Sequence, residues 1–302
     1  MANTKRQHTV PRTYLELFAN RRKDQFYIYT FDKKINKLFE DNIVKVAVEK
    51  DIYTLKMNQN EMAWEEFYSN QIEPRYQNSV HMLVKQAEST ILMNRADIIT
   101  YQMKIELAII IMYQLFRCKK TIKITQAFAD GILPEVLEDA KEKYGNSGDV
   151  EKDEFVRNFY PSQDFLKSIY ADVLTNPNRI VNYSKLIANR CWVLYRIIGE
   201  KEFVTSDNPV TIGSLINEAL ESSQLAFLRH RSVLYYPLSP KLLIAVYDHN
   251  IWFGAIENNS NCIIDLKVKS ESSFIDSINH LFIQQSNRQT FSKSIDTLQT
   301  II

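Results

Sequence analysis

An α+β fold is predicted by three features of this 302-residue sequence. Alternating strand-like residues lie near its start, helical spacing runs from Asn60 to about residue 175, and short β-rich runs follow Arg190. Strands, then helices, then a sheet and a last helix is not the repeated strand–helix alternation of a parallel α/β protein. A single large domain over 1–302 is expected: an N-terminal run and hairpin (1–59), a helical part (60–190) and a sheet with its last helix (191–302).

The first element is a short helix opened by Pro11. Residues Pro11, Tyr14, Leu15 and Phe18 have the i, i+3, i+4, i+7 spacing of one helical face, and proline suits a first turn because its missing N–H is not needed there. "FYIYTF" (26–31) and "INKLF" (35–39) flank "DKK" and read as a hairpin, with a third extended segment at 52–55. In the next helix Met62, Phe67, Ile72, Tyr76, Val80, Leu83 and Val84 recur at helical spacing, and Pro74 should kink it or open a new helix. Residues 96–120 form a helix that is apolar almost all round and therefore central. Further helices fit 125–143, 162–175 and 180–190, with a polar, turn-rich loop at 144–154. After Arg190, "CWVLYRII", "EFVTSD", "VTI", "VLYYPLSP" and "LLIAVYD" suggest an antiparallel sheet, closed by a helix over 271–292. The 144–154 loop and the 213–232 segment stand as candidate partner-binding insertions.

Composition narrows the function classes. Lysine and arginine total 37 against 36 acidic residues, so no whole-molecule field draws the chain to nucleic acid or acidic membrane. Cys118, Cys191 and Cys262 form no CxxC pair and read as buried, reduced thiols of a cytoplasmic protein. The N-terminus has no apolar core of a signal peptide, and "LAIIIMYQLF" (107–116) is shorter than the roughly 20 apolar residues a bilayer needs, so no membrane partner is expected. No GxGxxG, P-loop, HExxH or GxSxG occurs, which removes support for the common nucleotide, zinc-protease and serine-hydrolase sites.

Four isolated polar features remain. His8 stands just before the Pro11 helix and could titrate near neutral pH, or simply hydrogen-bond as an anchor. "FVTSDNPVTI" (203–212) places Ser206, Asp207 and Asn208 at a strand end, where sites are often built and where Asp-Asn-Pro is also ordinary turn chemistry. Glu66 and Glu73 return to within about 20° of one helical face, so two carboxylates could bind a metal or divide acid and base roles. Arg117 ends the apolar run and needs a partner, either Glu73 or a substrate phosphate or carboxylate.

Together these pieces resemble domain-of-unknown-function family 4238, a widespread bacterial group. Its His-x-x-Pro-x-x-Tyr-Leu-x-x-Phe opening is matched by His8, Pro11, Tyr14, Leu15 and Phe18, and its Thr-Ser-Asp-Asn-Pro-Val run by Thr205 to Val210. Glu73, Arg117, the Pro237–Pro240 turn and Asn279 match further positions; Arg12 and Thr13 depart from the bulky aromatic usual there. The resemblance carries no activity but implies one shared polar cluster. Its association with accessory genes of bacteria and mobile elements implies a phage-defence or toxin-like role.

Two expectations follow. One is a hydrolase of nuclease or phosphodiesterase type, acting on nucleic acid or another phosphorylated substrate. His8, Glu73, Asp207 and Asn208 would be catalytic, Asp207 and Glu73 would hold Mg²⁺ or Mn²⁺, and Arg117 with Ser206 would bind substrate. The other is a non-catalytic binding or sensor protein of a bacterial defence or mobile-element system, with a protein partner or a second copy of the chain, in which Arg117 and Glu73 form a buried ion pair and His8 with Asp207 is a hydrogen-bonded clasp tying the N-terminus to the sheet.

Overall fold

A computed structural model describes residues 6–89, 98–214, 228–229, 231–248 and 260–302. In chain order the N-terminal part comprises β1 (Arg6–His8), α1 (Arg12–Leu15), β2 (Asn20–Arg22), β3 (Gln25–Asp32), β4 (Lys37–Asn42) and β5 (Val48–Lys50). The helical part follows with α2 (Ala63–Phe67), α3 (Glu73–Arg75), α4 (His81–Ser89), α5 (Tyr101–Arg117), α6 (Lys119–Tyr144), α7 (Val150–Asn158), α8 (Gln163–Thr175) and α9 (Pro177–Ala188). The last part holds β6 (Cys191–Ile198), β7 (Thr205–Ser206), β8 (Thr211–Ser214), β9 (Ser232–Ser239), β10 (Leu242–Tyr247), β11 (Ile263–Lys267), α10 (Val268–Gln285), β12 (Gln289–Ser292) and α11 (Ile295–Ile301). The fold is α+β, as the element order predicts.

The central sheet runs β11-β6-β10-β9-β8. Its inner strands β9 and β10 are buried on both faces and so read as almost unbroken apolar runs. Because side chains alternate across a strand, Leu194, Leu234, Ile244 and Val246 join the larger core with α5 and α9. Val193, Val233, Leu243 and Ala245 join a second core with Ile275, Ile278 and Phe282 of α10. One strand departs from the expected antiparallel pattern: β11 pairs parallel to β6, because it starts at the end where β10 stops and lies on the opposite side of β6 from it.

The β3–β4 hairpin forms as predicted but is not isolated. It belongs to a second sheet, β2-β3-β12-β7 with β4 on β3, and β12 comes from the end of the chain. The predicted 271–292 helix therefore stops early. Ser286 leaves helical geometry (φ −57°, ψ 144°), and the chain turns into β12.

Three other expectations are corrected. The extended segment lies at 48–50 rather than 52–55, because Asp51 takes a left-handed conformation (φ 51°) and starts a turn. The 96–120 helix ends at Arg117, where Cys118 is extended (φ −71°, ψ 147°), and α6 begins at Lys119 rather than residue 125. The 144–154 loop is shortened by α7, which Asp149 caps by accepting from the Lys152 amide. Most of the 213–232 segment lies outside the described residues. All three cysteines are buried thiols outside any disulfide among the described residues. No helix among the described residues is long and apolar enough to cross a membrane.

Candidate functional site

The polar residues singled out by the sequence fall into two clusters on either side of the α5–α6 corner, not the one shared cluster expected: His8 bonds Ile43 and Arg117, whereas Asp207 bonds the Asn287–Gln289 amides. The first is built around Arg117, the last residue of α5, whose side chain is wholly buried. Its Nη2 donates to the His8 carbonyl oxygen (2.6 Å), and Nη1 and Nη2 each lie 3.3 Å from Glu73 Oε1. The guanidinium sits 4.5 Å from the Tyr68 ring centroid and 5.9 Å from that of Tyr53, whose hydroxyl donates to the Arg117 carbonyl (2.6 Å). Burial alone would push the Arg117 pKa down, but the surrounding tyrosines and Glu73 raise it, so the group stays charged.

Glu73 opens α3, with Pro74 in its first turn. Wider π-helical turns, Tyr68–Ile72 and Tyr76–Val80, flank α3 on both sides. Such turns occur frequently at functional sites and here they set where Tyr68, Glu73 and Tyr76 point. Glu66, the other candidate, is exposed and bonded to Asn60. The carboxylate that joins Glu73 is instead Glu65, whose pKa burial raises against the pull of Arg117.

His8 contributes its backbone more than its ring. The carbonyl accepts from Arg117, while ring Nε2 lies 3.3 Å from the Ile43 carbonyl and so carries the proton. Burial, with smaller contributions from Arg12, Arg117 and Arg6, lowers the His8 pKa to about 4. A neutral imidazole fixed as a donor is a poor general acid at neutral pH.

The second cluster follows β7. Asp207 Oδ1 accepts from the Asn287 amide (2.8 Å), and Oδ2 accepts from the amides of Arg288 (2.7 Å) and Gln289 (3.0 Å). The carboxylate thus replaces the helical carbonyls that α10 would have supplied, and the turn into β12 depends on it. Burial pushes the Asp207 pKa up to about 6, although the three amides and Lys33 favour its charged form. Ser206 Oγ donates to the Asn208 carbonyl and accepts from the Asn208 amide, a closed local turn. Asn208 donates to Gln285 O (3.1 Å) and accepts from Cys118 Sγ (3.2 Å), which joins the second cluster to the corner beside Arg117.

Other residues complete the ties. Tyr14 OH donates to Pro237 O (2.6 Å), lies 2.8 Å from Thr205 Oγ1 and stacks on Tyr236. Asn279 accepts from the Val204 amide and donates to Glu202 O, pinning α10 to the chain before β7. Gln114 Nε2 donates to Thr9 O. Sequence reasoning missed Gln114, Tyr53, Tyr68 and Glu65. Gln114 sat in plain view, since it is polar within the same apolar run that made Arg117 conspicuous.

The arrangement does not fit the expected Mg²⁺ or Mn²⁺ site. Glu73 is engaged with Arg117 and Asp207 with backbone amides, in separate clusters, and the described residues hold no group of three or more His, Cys, Asp or Glu placed to bind a metal ion. Nor does Arg117 present a terminal nitrogen to solvent for a phosphate. Asp207 does line one polar cavity of about 230 Å³, together with Arg6, Lys45, Glu49, Lys119 and Arg288.

A family model described as "Protein of unknown function (DUF4238)" matches residues 6–296. No curated protein and no solved structure matches the chain.

Proposed function

The chain belongs to the DUF4238 family, and from that premise we propose that it is a non-catalytic binding or sensor protein whose family-typical polar residues form a structural clasp. The observation that carries this reading is the saturation of Asp207 by three backbone amides. A carboxylate so occupied has little capacity left for substrate or metal. Arg117 adds to it, being spent on the His8 carbonyl and Glu73. The first strand, β5, the start of α6 and the turn into β12 border a polar cavity, which is the natural place for a ligand.

A hydrolase of phosphodiesterase or nuclease type is the second reading, and one observation favours it. Asp207 lines the cavity with a pKa of about 6, near the range useful to a general acid or base. In that case the defence or toxin-like role would rest on cleavage.

The test compares wild type with Asp207→Asn in cleavage of single- and double-stranded DNA, RNA and a chromogenic phosphodiester, with Mg²⁺ and with Mn²⁺. The binding reading expects no turnover by either protein, and unchanged growth on induced expression with and without phage challenge in any variant that still accumulates. Cleavage that Asp207→Asn abolishes without loss of folded protein contradicts it.

A further inference from the structure

The cavity beside Asp207 has a composition that points to its ligand. It is bounded by Arg6 of β1, by Thr9, by Lys45, Ala47 and Glu49 around β5, by Lys119 and by the Asn287–Gln289 turn. Four cations, Arg6, Lys45, Lys119 and Arg288, meet only two acids in its wall. Two acids outside the wall, Asp32 and Asp41, pair with Arg288 and Lys45, so the surplus positive charge lies at the rim with Arg6. Neither acid of the wall is turned to the space as a free anion. Glu49 is paired with Lys119 (2.5 Å), and Asp207 is held by three amides. Arg288 is fixed by Asp32 (2.7 Å), while Lys33 also favours the charged form of Asp207. At the rim, Lys45 reaches Asp41 (3.3 Å) across an exposed ion pair, and among the described residues Arg6 donates to the Lys45 carbonyl (3.3 Å). Exposed pairs of that kind exchange readily for a better anion.

Helix α6 adds to this field. It starts at Lys119, runs 26 residues, and has no side-chain hydrogen bond capping its first turn. The positive end of its dipole therefore lies at the cavity wall.

We propose that this cavity binds the phosphate group of a small phosphorylated molecule, with Arg6 and Lys45 closing on the anion and Lys119 and Arg288 forming the fixed wall. This rests on the binding reading above and names its ligand class. The volume, about 230 Å³, is below the roughly 300–1,000 Å³ of pockets for drug-sized ligands. It therefore suits a phosphate with its attached sugar rather than a dinucleotide or a duplex. The mainly polar lining fits the same ligand.

The experiment titrates the full chain with inorganic phosphate, ribose 5-phosphate and adenosine 5′-monophosphate by calorimetry, with sulfate and chloride as controls. The Arg6→Ala/Lys45→Ala double variant is measured beside wild type. Both side chains are exposed, so the variant should melt like wild type. The expected result is saturable phosphate or phosphate-ester binding to wild type, weakened about tenfold or more in the variant. No saturable binding to wild type overturns the assignment, as does equal binding by the folded variant or binding matched by chloride at the same ionic strength. Release of inorganic phosphate from the esters during titration is read separately. It would overturn the non-catalytic reading while leaving the site in place.

Discussion

Arg117 Nη2 lies 2.6 Å from the carbonyl oxygen of His8, so the last residue of the central helix holds the first described strand. The same guanidinium is wholly buried and meets Glu73. Removing the side chain orphans the carbonyl and leaves a half-buried carboxylate without its cation. Arg117→Ala should cost about 3–5 kcal/mol in urea unfolding. Arg117→Lys should recover part of this, because one ammonium can reach the carbonyl but lacks the planar fork that also spans Glu73.

Tyr14 makes a second tie of the same strap. Its buried hydroxyl serves Pro237 O and Thr205 Oγ1, so Tyr14→Phe leaves both in want of a partner while keeping the stack on Tyr236. A loss of about 1–3 kcal/mol in chemical denaturation is expected, with no change in the m-value.

His8 sets an acid limit. Its pKa is lowered to about 4 from an ordinary 6.5, so the unfolded chain binds a proton more readily than the folded one. The stability it contributes is fully present above about pH 6.5 and is lost as pH falls toward 4. In an NMR titration the His8 imidazole should stay neutral to about pH 5. A midpoint near 6.5 in the folded protein would contradict its burial against Ile43.

Asp207 has the opposite sign. Its folded pKa, about 6, stands above the ordinary 3.8, so the folded state binds the proton more tightly. Stability from this group therefore falls as pH rises from about 4 to 6, by about 3 kcal/mol in all. Asp207→Asn should remove that slope and leave the His8 loss visible alone over the same range, in melts recorded from pH 4 to 7.

The fold class and most elements were legible because they rest on periodicity, which a single segment carries by itself. Helix α8 and the β3–β4 hairpin show this. The misplacements have long-range causes. Nothing between residues 271 and 292 reveals that the helix must end at Gln285, since the group that ends it, Asp207, is 80 residues away in the sequence. The polar residues singled out were equally visible, but their partners are mostly backbone carbonyls and amides, which have no sequence signature. For that reason His8 and Asp207 stand out in the sequence as side chains, while the Arg117 bond to the His8 carbonyl and the three amides on Asp207 do not. The cavity cations escaped notice because Arg6, Lys45, Lys119 and Arg288 come from four segments, each unremarkable alone.

Amide hydrogen exchange at Asn287, Arg288 and Gln289, followed in wild type and Asp207→Ala alongside thermal melting, tests the clasp most directly. Three protected amides in wild type, unprotected in the variant together with a loss of about 3 kcal/mol or more, are the predicted result. A variant that melts like wild type, keeps those amides protected and yet loses a cellular phenotype would contradict the clasp and return Asp207 to catalysis.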